Sequence, residues 1–186
     1  MGFYDDRKTA LEYIAMADGY DGRELVEVLK LHLSGGAKIL ELGMGPGIDL
    51  NLLKAHFEAT GSDNSQFFLD RYRAMCPDSD LIYLDAVELN TERVFDCIYS
   101  NKVLHHLSKD ELTRSLHRQR QILSDKGLIM HSFWHGTGAD EHHGLKFIYQ
   151  TEDTLRSIIG EIYNVLEIVV YKEMEDDDSL YVLATV

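Results

Sequence analysis

An α/β fold is predicted for this sequence: a mostly parallel sheet, doubly wound by helices on both faces, with an antiparallel hairpin strand at its C-terminal end. Three observations predict it. Apolar periodicity switches repeatedly between the spacing of helices and that of strands. The strand-like runs are separated by helical stretches of roughly ten residues, as parallel crossovers require. The last two runs lie too close together for a crossover and must pair as a hairpin.

The elements follow in order. Thr9-x-x-Glu12 has the form of a capping box ahead of Leu11, Ile14 and Ala15 at helical spacing. From Arg23 to Leu33, Leu25, Val26, Leu29 and Leu33 share one helical face. Residues 37–42 read as a strand that ends in a glycine-rich turn, and Ile48 to His56 returns to helix. Ala59 to Ser62 is a second strand, Gln66 to Met75 a helix stopped by Pro77, and Leu81 to Leu84 a third strand. Phe95 to Ser100 is the fourth. Ser108-x-x-Glu111 caps a helix whose apolar face is Leu112, Leu116, Ile122 and Leu123. Asp125-Lys126-Gly127 then turns the chain into a fifth strand, Leu128 to Trp134. A polar loop leads to a helix capped by Thr151, and Val165 to Tyr171 and Leu180 to Val186 form the closing pair. The acidic run at residues 173–178 between them reads as a solvated turn.

Composition narrows the function. With 186 residues and 45% apolar content, one folded domain over 1–186 is expected. A net charge of −14 repels phosphate backbones, so nucleic-acid binding is not expected. No run of 18 apolar residues marks a membrane span, no basic-then-apolar start marks a secretory signal, and Asp6 spoils a myristoylation match. Two cysteines, Cys76 and Cys97, make no disulfide framework and no zinc motif, which suits reduced thiols in a cytoplasmic protein.

The most informative segment is Glu41-Leu42-Gly43-Met44-Gly45-Pro46-Gly47, which leaves an apolar strand and enters a helix. Glycines there allow positive φ and close approach of a ligand, and the helix N-terminus behind them suits an anionic group. Ligands of open α/β sheets bind at the carboxyl ends of the strands, where the strand order reverses. The spacing is GxGxG, with Ile48 where a dinucleotide fingerprint wants its third glycine, and a glutamate stands two residues before the first. Both features weaken a nicotinamide reading. Asp63, ending the second strand, is placed either to accept from ribose hydroxyls or to cap the next helix.

With these landmarks the sequence resembles the class I S-adenosylmethionine-dependent methyltransferases, from about Tyr20 to Val186. The resemblance implies a Rossmann-like, seven-stranded sheet whose last strand is inserted antiparallel. It implies N-terminal helices (residues 1–34) covering the cofactor and a catalytic α/β core (35–186). The cofactor is then S-adenosyl-L-methionine, leaving as S-adenosyl-L-homocysteine. By resemblance Gly43, Met44, Gly45 and Gly47 approach its methionine part with Glu41 near the amino-acid end. Asp63 and Asn64 take the ribose, Asp85 and Ala86 the adenine, and Ser100 and Asn101 face cofactor and acceptor. Tyr20, in Ala17-Asp18-Gly19-Tyr20-Asp21, matches an aromatic residue of small-molecule members. The chain lacks the Asn-Pro-Pro-Tyr and Pro-Cys motifs of nucleic-acid methyltransferases.

Methyl transfer from a sulfonium is an in-line displacement that asks mainly for positioning, worth about 7–11 kcal/mol. A general base is needed only where the acceptor loses a proton, and histidine suits that task near neutral pH. The candidates are His106, in His105-His106 after the fourth strand, and His135, ending the fifth. His131, His135, His142 and His143 do not converge as metal ligands on a strand, so no metal is expected. Residues 136–144 read as either a mobile lid or a surface loop. The expected function is methylation of a small-molecule acceptor. Two alternatives are a protein acceptor and a nucleotide-binding domain without methyl transfer. A homodimer could complete the site, since no large insertion follows the fifth strand.

Overall fold

A computed structural model describes residues 6–16, 19–142 and 144–186, with the side chain of His142 left out. The chain divides into two compact units, Met1–Ala86 and Val87–Val186. The mostly parallel main sheet has seven strands, three in the first unit and four in the second.

The first unit contains α1 (Arg7–Met16), α2 (Arg23–His32), β1 (Lys38–Leu42), α3 (Ile48–Lys54), β2 (Glu58–Asp63), α4 (Gln66–Met75) and β3 (Leu81–Tyr83). β1 pairs parallel with β2, and β2 with β3. The last four residues of β1 are all buried, as expected of a parallel strand covered on both faces. Its core is Ile39, Leu40, Leu42, Leu50, Leu53, Phe68 and Leu69. One start signal was misplaced. Helix α1 begins at Arg7, and Asp6 is the residue that caps it, its carboxylate accepting from the Thr9 N–H at 2.9 Å and the Thr9 hydroxyl at 3.0 Å.

The second unit contains β4 (Phe95–Asn101), a 3₁₀ turn (Leu104–His106), α5 (Lys109–Gln121), β5 (Leu123–Trp134), β6 (Ala139–His142), β7 (Leu145–Ile148), α6 (Glu152–Ile159), β8 (Asn164–Tyr171) and β9 (Ser179–Thr185). β4 pairs parallel with β5, while β9 runs antiparallel to both β5 and β8. The expected hairpin is there. So are both caps: Ser108 accepts from the Glu111 N–H, and Thr151 from the Thr154 N–H.

Two expectations need correction. β5 starts at Leu123, not Leu128, because the register slips from Phe95↔Leu123 to Cys97↔Leu128 and Asp125-Lys126-Gly127 bulges within the strand. Leu123 therefore belongs to the sheet. The polar loop contains a second hairpin, β6 paired antiparallel with β7; His143 lies outside the described residues.

Candidate cofactor and base sites

Backbone conformation requires the glycines between β1 and α3. Gly43, Gly45 and Gly47 have φ of +63°, +49° and +85°, a region other residues rarely adopt. The loop closes on itself, with the Gly47 N–H donating to the Met44 carbonyl at 2.8 Å and the Met44 N–H to the Ser62 carbonyl of β2 at 2.8 Å. A Cβ at Gly47 would stand 2.3 Å from the ring of Tyr72. That ring is fixed: its hydroxyl donates to Asn51 Oδ1 at 2.6 Å, and burial pushes its pKa up to about 12.

Glu41 on β1, Asp49 in the first turn of α3 and Asp63 at the end of β2 are all buried beside this loop. Asp63 accepts from the Gly45 N–H and from the Ser65 N–H, each at 2.8 Å. Asp49 accepts from the Gly22 N–H at 2.7 Å, tying the start of α2 to α3. Glu41 differs. Its Oε2 is buried without a hydrogen-bond partner among the described residues. Burial, reinforced by the charges of Asp49 and Asp63, raises its pKa well above the usual carboxylate range. A buried carboxyl with an unused oxygen beside two more carboxylates gains from a cationic partner.

Of the residues expected to bind with the loop, Asp63 bonds it directly, through the Gly45 N–H. Asp63 ends β2 as anticipated, but Ser65 occupies the N-cap position of α4. Asn64 is exposed next to it, and Asp85 and Ala86 follow β3, half-buried. Met44 is a correction: its side chain packs into the core with Leu50, Leu69 and Tyr72, and the loop uses its N–H and carbonyl internally. Tyr20 is 40% exposed. The aromatic ring that packs on the loop is instead Tyr13 of α1, with Cε1 3.5 Å from where a Gly45 Cβ would lie and an edge contact to Phe68 at 6.1 Å between centroids. Ala17 and Asp18 lie outside the described residues. Asp49 and Tyr13 were missed; a carboxylate two residues past the last loop glycine was the available signal for Asp49.

In the second unit Ser100 turns away from the expected role. It is fully buried and donates to His131 Nδ1 at 2.8 Å; His131 Nε2–H donates to Gln119 of α5 at 2.8 Å, and Gln119 to Ser115 at 3.0 Å. Burial lowers the pKa of His131 to about 3, so the relay is uncharged. Asn101 ends β4 with its amide oxygen held by the Ser132 hydroxyl.

His106 has the geometry of a base. Its Nδ1–H donates to the Lys146 carbonyl at 2.6 Å, which leaves the Nε2 lone pair as the accepting position. Burial lowers its pKa against the raising effect of that bond, keeping the ring neutral at pH 7. Its neighbour His105 is buried, with neither ring nitrogen partnered among the described residues, and stacks on Phe147 at 5.1 Å. His135 faces acceptors at both ring nitrogens, the Asp177 carbonyl 2.8 Å from Nδ1 and the Glu152 carboxylate 3.3 Å from Nε2. Among the described residues no group of three or more His, Cys, Asp or Glu is arranged to hold a metal, and no helix is long and apolar enough to cross a membrane.

Residues 39–127 match the family model described as a methyltransferase domain. No curated protein matches the sequence. Among solved structures the chain is similar to an S-adenosylmethionine-dependent methyltransferase from Mesorhizobium loti, with 20% identity, 91% of this chain and 99% of that one covered, and a TM-score of 0.73. It is also similar to the Burkholderia thailandensis 1,6-didemethyltoxoflavin-N1-methyltransferase with bound 1,6-didemethyltoxoflavin and S-adenosylhomocysteine, at 18% identity, 100% and 91% coverage and a TM-score of 0.75. A glycopeptide N-methyltransferase complexed with S-adenosylhomocysteine gives 12%, 90% and 91%, and 0.75. At these identities the likeness is one of fold: the Rossmann-like sheet with its antiparallel last strand.

Proposed function

We propose, from the premise that the chain carries a methyltransferase domain over residues 39–127, that the protein transfers a methyl group from S-adenosyl-L-methionine to a small-molecule acceptor. One observation carries the cofactor assignment: the orphaned Glu41 oxygen beside a loop of three left-handed glycines. That oxygen has no partner among the described residues, and the sulfonium cofactor has two cationic centres. Glu41 and the loop backbone would hold its methionine end, Asp63 with Asn64 the ribose, and Asp85 with Ala86 the adenine. When bound, the cofactor supplies an activated methyl group.

The remaining work falls to the chain. The loop and its carboxylates orient the donor, and orientation is the larger part of catalysis for a displacement of this kind. His106 Nε2 takes the proton the acceptor must lose, with the Lys146 carbonyl holding the ring in the required tautomer. The small-molecule acceptor draws support from the relative solved with 1,6-didemethyltoxoflavin. The net charge of −14 disfavours nucleic-acid partners, and the two free cysteines suit the cytoplasm. We keep a homodimer as part of the reading because no large insertion follows β5.

Three predictions test it. S-adenosylhomocysteine should raise the melting temperature and NAD should not. In calorimetry Asp63→Ala should weaken S-adenosylhomocysteine binding by about 1.5–3 kcal/mol, the worth of charge-assisted hydrogen bonds. Stabilisation by NAD alone would sink the reading. Once a metabolite screen has found an acceptor, His106→Asn should lower kcat by roughly 10²–10⁴-fold with S-adenosylhomocysteine affinity unchanged. An unchanged kcat would remove His106 as the base.

A further inference from the structure

The acidic turn after β8 is not simply solvated. Glu173, its first carboxylate, reaches the ammonium of Lys102 at 2.6 Å, and the two side chains are only 15% and 11% exposed. Lys102 follows β4 directly. Its Nζ also donates to the Ser179 hydroxyl at 3.0 Å and to the Tyr171 hydroxyl at 3.2 Å, so all three ammonium protons are used. The same nitrogen lies 4.4 Å from the Trp134 ring centroid and 5.1 Å from that of Tyr171. Such an ion pair contributes little net stability against the desolvation of two charges, though removing one partner alone is costly.

The backbone at Lys102 is the second observation. Its φ is +53°, a left-handed conformation that costs a non-glycine residue about 1 kcal/mol. That conformation is fixed from both ends of the residue. The Lys102 N–H donates to Ser132 Oγ at 3.0 Å, the Ser132 hydroxyl donates to Asn101 Oδ1, and the side chain is anchored in its cage. Immediately afterwards the chain enters the 3₁₀ turn Leu104–His106, in which Leu104 and His105 are buried. A left-handed residue held by a buried ion pair, four positions before the base, sets the direction in which that turn leaves the sheet. Strain maintained by its surroundings is characteristic of functional sites.

We propose that Lys102 is a positioning residue: locked onto Glu173 inside the Trp134–Tyr171 cage, it holds the turn that presents His106 to the acceptor. The proposal rests on the reading of His106 as the base. It gives the acidic turn a function, because Glu173 from that turn keeps the lysine seated. It also explains why a lysine stands there, since neither methionine nor glycine can use three acceptors and two aromatic faces at once.

The test reads the His106 ring directly by long-range ¹⁵N–¹H spectroscopy. In the native protein the Nδ1–H tautomer should predominate, as the bond to the Lys146 carbonyl requires. Glu173→Gln and Lys102→Met should each lose that predominance, while Lys102→Arg, which keeps charge and stacking, should retain it. Glu173→Gln preserves shape and decides the matter if Lys102→Met does not fold. A lowered melting temperature with an unaltered His106 ring in Glu173→Gln would make the lock purely structural and overturn the proposal. Failure of the base reading looks different: His106→Asn would retain its full kcat, whatever the ring spectra of the Lys102 and Glu173 variants.

Discussion

Gly47→Ala is expected to destabilise the protein by about 2–5 kcal/mol and to abolish measurable S-adenosylhomocysteine binding. Two effects add. The left-handed backbone at φ +85° costs an alanine about 1–2 kcal/mol. The new methyl group then stands 2.3 Å from the Tyr72 ring, where overpacking typically costs about 1–3 kcal/mol. Tyr72 cannot simply move aside, since it is 1% exposed and tethered to Asn51. Gly36→Ala separates the terms. Gly36 has the same φ of +85° with nothing within 4 Å of its would-be Cβ, so only the backbone cost should appear and binding should persist. Urea unfolding and calorimetry on both variants check this. Equal losses in the two proteins would show that the packing of Tyr72 on the loop does not matter. Should Gly47→Ala fail to fold, adding Tyr72→Leu removes the clash and should recover folding.

Local signals made much of this legible. The bounds of α4, Gln66–Met75, follow from helical spacing and Pro77, and Ser108 with Glu111 announces α5 three residues apart. The glycine loop was readable for the same reason, since three alternating glycines after an apolar strand demand an unusual backbone. What escaped depended on partners distant in sequence. Ser100 was placed on the ligand side by resemblance, from its position at the end of β4, a strand so largely buried that its sequence does not reveal which side chain points where. Its partner His131 lies 31 residues away. His135 looked free at a strand end, yet Asp177 and Glu152 come from other elements. The β6–β7 hairpin is four residues a side and mostly polar, too short for alternation to distinguish it from a loop. Glu173 was hidden in the average of an acidic run. Composition describes the run, and only the fold singles out the member that meets Lys102.

The second large effect belongs to His131 and appears on acidification. Its imidazole is fully buried, donating to Gln119 and accepting from Ser100, and its pKa falls from 6.5 to about 3. A depressed imidazole pKa means that the unfolded chain binds the proton more readily than the folded one. Stability from this group is therefore complete above about pH 6.5 and is lost progressively as pH falls towards 3. At 1.36 kcal/mol per pH unit the loss is on the order of 5 kcal/mol. His105 and His106, whose pKa values are also lowered, act in the same direction; Glu41, with a raised pKa, acts against them. The variant His131→Gln isolates the histidine, because it removes one titrating group and leaves the others. Urea unfolding across that pH range should give a native stability that drops steeply and a variant stability that drops less, the two curves converging at low pH. Parallel curves would mean that His131 is protonated as easily in the fold as outside it, and the buried relay from Ser100 to Ser115 could not then be neutral. If the glutamine variant does not fold, titration of the native His131 ring by NMR gives the same answer, and a midpoint near 6.5 would contradict the expectation.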